Sequence, residues 1–105
     1  MADILNFNTL KKRFLTITLP DENQTTIMVG TPTKALLDEL ENLEIGGNET
    51  ALDDLYGLIA RLMSRNKGGV KISRELLEGC LDIEDLVEFI KSYKAFLSGI
   101  KTLKN

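Results

Sequence analysis

The sequence predicts an α+β fold in which an N-terminal β-hairpin is followed by a bundle of about four helices. Two observations lead to this prediction. Apolar and polar side chains alternate through most of residues 13–29, as they do in strands, and the apolar residues after position 31 recur at the spacings of amphipathic helices. Strands that come first and helices that follow indicate segregated elements and not a βαβ sheet. With 105 residues, we expect an N-terminal arm over residues 1–11 and a single α+β domain over residues 12–105.

The hairpin is predicted over residues 13–29. Its first strand, residues 13–19, alternates strictly, and residues 25–29 form a second short strand after a polar turn that begins at Pro20. The apolar face of the first strand comprises Leu15, Ile17 and Leu19. Because a lone hairpin is only marginally stable in water, we expect a helix, or strands of a neighbouring copy, to cover this face.

Four helices are predicted over residues 32–44, 50–65, 74–80 and 83–99. Their predicted N-caps are Thr31 (with Pro32 at the first helical position), Asn48 or Thr50, Ser73 and Asp82. Gly46-Gly47 is expected to end the first helix. Gly57 lies inside the second helix, where glycine costs roughly 1 kcal/mol relative to alanine, so we expect another element to pack closely there.

Composition excludes several classes of function. The chain has no His and one Cys, which excludes the common zinc sites, a disulfide within the chain and every catalytic arrangement that needs His. The acidic neighbours of Cys80 disfavour a thiolate. The two glycine pairs, Gly46-Gly47 and Gly68-Gly69, lack the sequence context of a phosphate-binding loop. We therefore expect no catalytic residues, no metal and no cofactor, and a protein that is not an enzyme.

Charge and hydropathy also limit the partners. A net charge of −3 disfavours nucleic acid as a partner. No apolar run approaches the ~18 residues of a membrane span, and no signal-peptide core follows the start. The basic clusters are expected to be solvated surface: Lys11, Lys12 and Arg13, and then Arg61, Arg65, Lys67, Lys71 and Arg74.

The first helix has charges that oppose its dipole. Lys34 lies at its start, and acidic residues crowd its later turns. These acidic residues are Asp38, Glu39, Glu41 and Glu44. Two interpretations stay open: a solvated face, or a surface that meets basic residues within the chain or on another copy, which would make it a site of self-association.

The last helix carries an unusually wide apolar stripe. Its members are Leu86, Phe89, Ile90, Tyr93, Phe96, Leu97 and Ile100. With Ile83 and Val87 they cover roughly half of the helix circumference, whereas a single core contact needs a stripe of about 100°. Two interpretations stay open here as well: an ordinary core, or a stripe of which part binds a helix of another protein.

Four segments of the sequence resemble one family. They are residues 13–21 (RFLTITLPD), 26–33 (TIMVGTPT), 72–78 (ISRELLE) and 81–90 (LDIEDLVEFI). Their order and capping pattern, over about residues 12–100, resemble those of the tail assembly chaperones of long-tailed phages and prophages of Gram-positive bacteria.

The resemblance implies a non-enzymatic role in the cytoplasm of a bacterial host. Such chaperones bind the long, helical tape measure protein, prevent its aggregation and help to recruit tail tube protein. They also self-associate, and many occur as a short form and a longer frameshifted form, of which this chain would be the short one. The alternative is a small adaptor or regulatory module that binds one folded protein through its helical face. A DNA-binding regulator is disfavoured because no basic recognition helix follows a tight turn.

Overall fold

The computed structural model describes residues 4–9, 11–42 and 49–102. Its elements are a 3-10 turn (Phe7–Thr9), strands β1 (Leu15–Thr18) and β2 (Thr26–Val29), and helices α1 (Lys34–Glu41), α2 (Glu49–Met63), α3 (Arg74–Cys80) and α4 (Ile83–Thr102). This order confirms the predicted α+β fold of a hairpin followed by four helices. Helix α2 ends two residues earlier than predicted and α4 extends three residues further. The predicted end of the first helix at Glu44 and its stop at Gly46-Gly47 lie outside the described residues.

The hairpin is antiparallel, with Leu15 opposite Val29 and Thr18 opposite Thr26. Its alternation agrees with the prediction, since Leu19, Ile27 and Val29 are buried while Thr16 and Thr18 are exposed. Helices α2 and α4 supply the core that covers this apolar face. The hairpin is therefore stabilised by helices of its own chain.

The turn of the hairpin is closed by Asp21. Its carboxylate accepts a 2.8 Å hydrogen bond from the backbone N–H of Thr25 and a 2.6 Å bond from the Thr25 hydroxyl. These bonds favour the charged carboxylate and lower the pKa of Asp21. The adjacent Gln24 adopts a left-handed conformation with φ of 48°. The carboxylate thus holds a turn that has no glycine.

The outer edge of β2 is occupied by the segment that follows α2. The Gly30 N–H donates a 2.7 Å bond to the Arg65 carbonyl, and the Lys67 N–H donates a 2.9 Å bond to the Met28 carbonyl. Asn66 holds the segment in shape, since its side chain donates to the carbonyls of Met63 and Val70 and accepts from the Val70 N–H. The segment thus forms an isolated antiparallel bridge along this edge, with Asn66 opposite Val29.

The predicted cap of the first helix is wrong by two residues. The N-cap is Thr33, whose hydroxyl accepts a bond from the Leu36 N–H, and the helix begins at Lys34. The Thr31 carbonyl, which lies before the helix, accepts a 3.0 Å bond from Arg65 Nε. Pro32 therefore lies before the helix and not at its first position.

The caps of the last two helices confirm the predictions. The Ser73 hydroxyl accepts a bond from the Leu76 N–H. Asp82 and Asp85 each accept a 2.9 Å bond from the other's backbone N–H, which is a reciprocal capping box.

The expected close packing at Gly57 is not found. A Cβ atom added there would meet its nearest heavy atom, Arg74 Cδ, at 3.9 Å, an ordinary van der Waals distance. Gly57 is therefore not required by a close approach of another element.

Candidate protein-interaction surfaces

The apolar stripe of α4 divides into a buried part and a partly exposed part. Leu86, Phe89, Ile90 and Tyr93 belong to the buried core. Phe96, Leu97 and Ile100 are half-buried. The first four side chains are not available to a partner while the domain is folded, so the predicted docking surface is reduced to the last three.

The boundary between the two parts is Tyr93. Its ring is fully buried and its hydroxyl donates a 2.8 Å bond to the carbonyl of Gly30. Burial raises the pKa of Tyr93 to about 12. The ring stacks on Phe89 at a centroid distance of 5.3 Å and lies 5.9 Å from the tilted ring of Phe96. Phe96 is therefore the partly exposed end of a row of three aromatic rings.

A groove of about 350 Å³ lies between α1 and the C-terminal half of α4. Leu37, Leu40 and Leu97 provide its apolar surface, and Glu41 and Lys94 provide one charge of each sign. The groove combines apolar and polar lining in about equal parts, a combination that one face of an amphipathic helix can match. We call Leu37, Phe96, Leu97 and Ile100 the α1–α4 surface.

The acidic residues of α1 have partners within the chain. Both carboxylate oxygens of Glu39 accept bonds from Arg61, at 2.8 and 2.9 Å, and this pairing lowers the pKa of Glu39. Asp38 pairs with Lys34 at 2.9 Å. Glu39 thus contacts a basic residue of the same chain. This contact agrees with the interpretation that the acidic residues of α1 meet basic residues. Self-association through Asp38, Glu39 and Glu41 stays a prediction, and Glu44 lies outside the described residues.

The structure brings together two basic segments that are far apart in the sequence. A groove of about 680 Å³ is lined by Lys11 and Lys12 from the first segment, by Arg65 and Lys67 from the second, and by Phe14. The ammonium group of Lys67 lies 5.9 Å from the centroid of the Phe14 ring. The sequence predicts the two segments as separate solvated surfaces. The available signal for a shared groove was the aromatic side chain of Phe14, directly before β1.

A further groove, of about 400 Å³, runs between the outer edge of β1 and α4. Its apolar surface includes the half-buried side chains of Leu15 and Ile17, and Asp85 and Glu88 lie at its margin. We call this the β1–α4 groove.

Two further titratable side chains have raised pKa values. Burial, with the carboxylates of Asp21 and Asp85 adding to it, raises the pKa of the Cys80 thiol, which is then protonated at neutral pH. Burial likewise raises the pKa of Tyr56, whose hydroxyl donates a 2.7 Å bond to the Leu81 carbonyl. Among the described residues, no group of three or more potential ligands is arranged to hold a metal ion. Within the same part of the chain, no helix has the length and apolar character of a membrane span.

Comparison with known proteins does not assign the chain to a family. No protein-family model matches it, and no curated protein and no solved structure matches it either. What the structure defines is a small α+β domain.

Proposed function

We propose that this protein is a non-enzymatic tail assembly chaperone of the bacterial cytoplasm. In this role it binds the helical tape measure protein, prevents its aggregation and assists assembly of the tail tube from its subunits. The observation that carries the proposal is the α1–α4 surface, together with the resemblance of residues 12–100 to that family. On this surface an apolar helix stripe continues beyond the core into half-exposed side chains beside a groove.

The size of this surface suits reversible binding. Burial of one Leu or Phe side chain contributes roughly 1.5–3 kcal/mol. Phe96, Leu97 and Ile100 are already half-buried, so each has less than that to gain on binding. Association also costs translational and side-chain entropy. One copy is therefore expected to bind weakly, while several copies along one long helix gain affinity through effective concentration. Weak individual contacts also allow displacement when the tube forms.

The experiment is co-expression of this chain with fragments of a tape measure protein, the long helical target that the proposal names. The complex is isolated by pull-down and its mass is determined by native mass spectrometry. We expect several copies of the chain on each fragment. Leu97→Ser combined with Ile100→Ser is expected to abolish binding.

Ile83→Ser is the matched control. Ile83 lies on the same helix and is 50% exposed, but it belongs to neither the α1–α4 surface nor the groove beside it. Circular dichroism establishes that each variant is folded. Binding that survives the Leu97 and Ile100 substitutions contradicts the assignment of the surface. One copy bound to an unrelated folded protein contradicts the proposal and supports the adaptor alternative.

A further inference from the structure

The outer edge of β1 presents unpaired backbone groups. Leu19 and Thr25 are the next pair after Thr18 and Thr26 in the ladder, and the Leu19 N–H donates a 2.8 Å hydrogen bond to the Thr25 carbonyl. Because hydrogen-bonded and non-hydrogen-bonded pairs alternate in an antiparallel ladder, Thr16 and Thr18 turn their backbone groups away from β2. The position of Met28, which is opposite Thr16, agrees, since its carbonyl accepts from Lys67 on the far side of β2. In the described part of the chain the sheet consists of β1 and β2 alone, so no further strand pairs with the outer edge of β1.

An unpaired edge of this kind accepts an extended segment of another polypeptide. The β1–α4 groove lies directly beside the edge, so side chains of such a segment have an apolar surface to cover. Asp85 and Glu88 at the margin, with Asp21 and Glu22 in the hairpin turn, make the turn end of the groove acidic. The fitting segment therefore carries apolar residues followed by positive charges.

The N-terminal arm of this chain has that composition. The large apolar side chains of its described residues are exposed: Ile4 by 88%, Leu5 by 67% and Phe7 by 68%. Lys11, Lys12 and Arg13 follow, and all three are exposed. Docking in an extended conformation requires the 3-10 turn at Phe7–Thr9 to open. In an extended strand, the four steps from Phe7 to Lys11 span about 13 Å, so the apolar and basic parts can contact the two ends of the groove at once.

We propose that the arm of one copy docks in an extended conformation on the β1–α4 groove of a second copy, parallel to β1. In this direction, residues 4–7 lie beside Thr16 and Thr18, and the basic residues reach the acidic turn end. In the antiparallel direction, the basic residues would instead lie against Lys11, Lys12 and Arg13 of the receiving copy, which directly precede β1.

The parallel orientation also requires that the docked arm come from a second copy of the chain. An arm that joins its own β1 through residues 10–14 can only turn back antiparallel, because a parallel connection needs a dozen or more residues. The arm and the groove are different surfaces, so the contact is heterologous and each donor keeps its own groove open. This inference concerns a surface other than the α1–α4 surface and does not depend on the proposed function.

The test uses two variants of the full chain that each remove one side of the contact. Leu5→Ser with Phe7→Ser removes the apolar part of the arm. Thr16→Pro removes the outward N–H of the edge without removing a bond of the hairpin, and Thr16→Ala is its matched control. Sedimentation equilibrium up to millimolar concentration measures self-association. We expect each variant to raise the dissociation constant by about tenfold or more, and Thr16→Ala to leave it unchanged.

A mixture of the two variants gives the decisive result. The proline variant still has an arm and the arm variant still has a groove, so together they are expected to form a 1:1 heterodimer that cannot grow further. Added salt is expected to weaken it. A wild-type chain that stays monomeric, including one whose arm folds onto its own β1, overturns the proposal. So does self-association that is insensitive to the arm, or a mixture that contains only monomers. The tape measure experiment, which changes other residues, is interpreted separately.

Discussion

The hydroxyl of Tyr93 in α4 donates a 2.8 Å hydrogen bond to the carbonyl of Gly30, at the end of the hairpin. The two residues are 63 positions apart in the sequence, and both are buried. A buried carbonyl without a partner is costly, so this bond ties the last helix to the strands in a defined register. It also marks where α4 leaves the core and its stripe becomes partly exposed.

Tyr93→Phe is expected to lower the free energy of unfolding by about 1–3 kcal/mol. The substitution keeps the ring, and therefore the stacking on Phe89, but leaves the Gly30 carbonyl without its donor. Urea denaturation followed by circular dichroism measures the difference. A difference near zero would indicate that water replaces the hydroxyl, and would contradict the structural role given to this bond.

The same residue predicts a loss of stability at high pH. The pKa of Tyr93 is raised from 10.0 to about 12 in the folded protein, so the folded state holds the proton more tightly than the unfolded state. The resulting stabilisation is fully present below pH 10 and is lost as the pH rises from 10 to 12, by up to about 2–3 kcal/mol. The difference in unfolding free energy between the wild type and Tyr93→Phe, measured from pH 10 to 12, isolates the contribution of Tyr93, because all other groups titrate in both proteins. A constant difference would contradict it.

Gly57→Ala is expected to stabilise the domain by up to about 1 kcal/mol. Alanine is the better helix former, and an added methyl group meets no atom closer than 3.9 Å. Gly69→Ala is the contrasting variant, because Gly69 has φ of 69°, which strains an L-residue. Thermal denaturation should raise the melting temperature for the first variant and lower it for the second. Destabilisation by Gly57→Ala would indicate a close approach that the structure does not contain.

Asp21 predicts an acid-dependent part of stability. Its bonds to the Thr25 hydroxyl and N–H lower its pKa in the folded state. The stabilisation is therefore present above the unfolded pKa and is lost as the pH falls through the folded pKa. Asp21→Asn should destabilise the protein at neutral pH, and its difference from the wild type should shrink in acid. Glu22→Gln, which removes the exposed neighbouring carboxyl and leaves both Asp21 bonds in place, serves as the control and should leave stability at neutral pH nearly unchanged.

Most of the fold could be predicted because its elements are encoded locally. Alternation over a few residues identifies a strand that is buried on one face, and a cap such as Ser73 or Asp82 needs only a side chain three residues from its partner N–H. The first helix shows the limit of this reasoning. Thr31 and Thr33 both flank Pro32 and both suit a cap, but the cap is Thr33, while the Thr31 carbonyl is bound by Arg65 from 34 positions away.

The candidate surfaces were less predictable for the same reason. Periodicity correctly grouped the seven apolar residues on one face of α4, but it contains no information about what covers each part of that face. The basic groove likewise needs Lys12 and Lys67 to come together, and no local pattern connects them.

The sequence by itself determined the class of fold, the order of its elements and the absence of the residue types that common catalytic and zinc sites require. These properties depend on composition and on contacts between near neighbours in the chain. Tertiary structure alone decided that Tyr93 is core while Phe96 is partly exposed, and that Glu39 pairs with Arg61. It also decided that, among the described residues, no strand pairs with the outer edge of β1, while the segment after α2 occupies that of β2. Each of these depends on which distant segments meet, which is set by the packing of the whole domain.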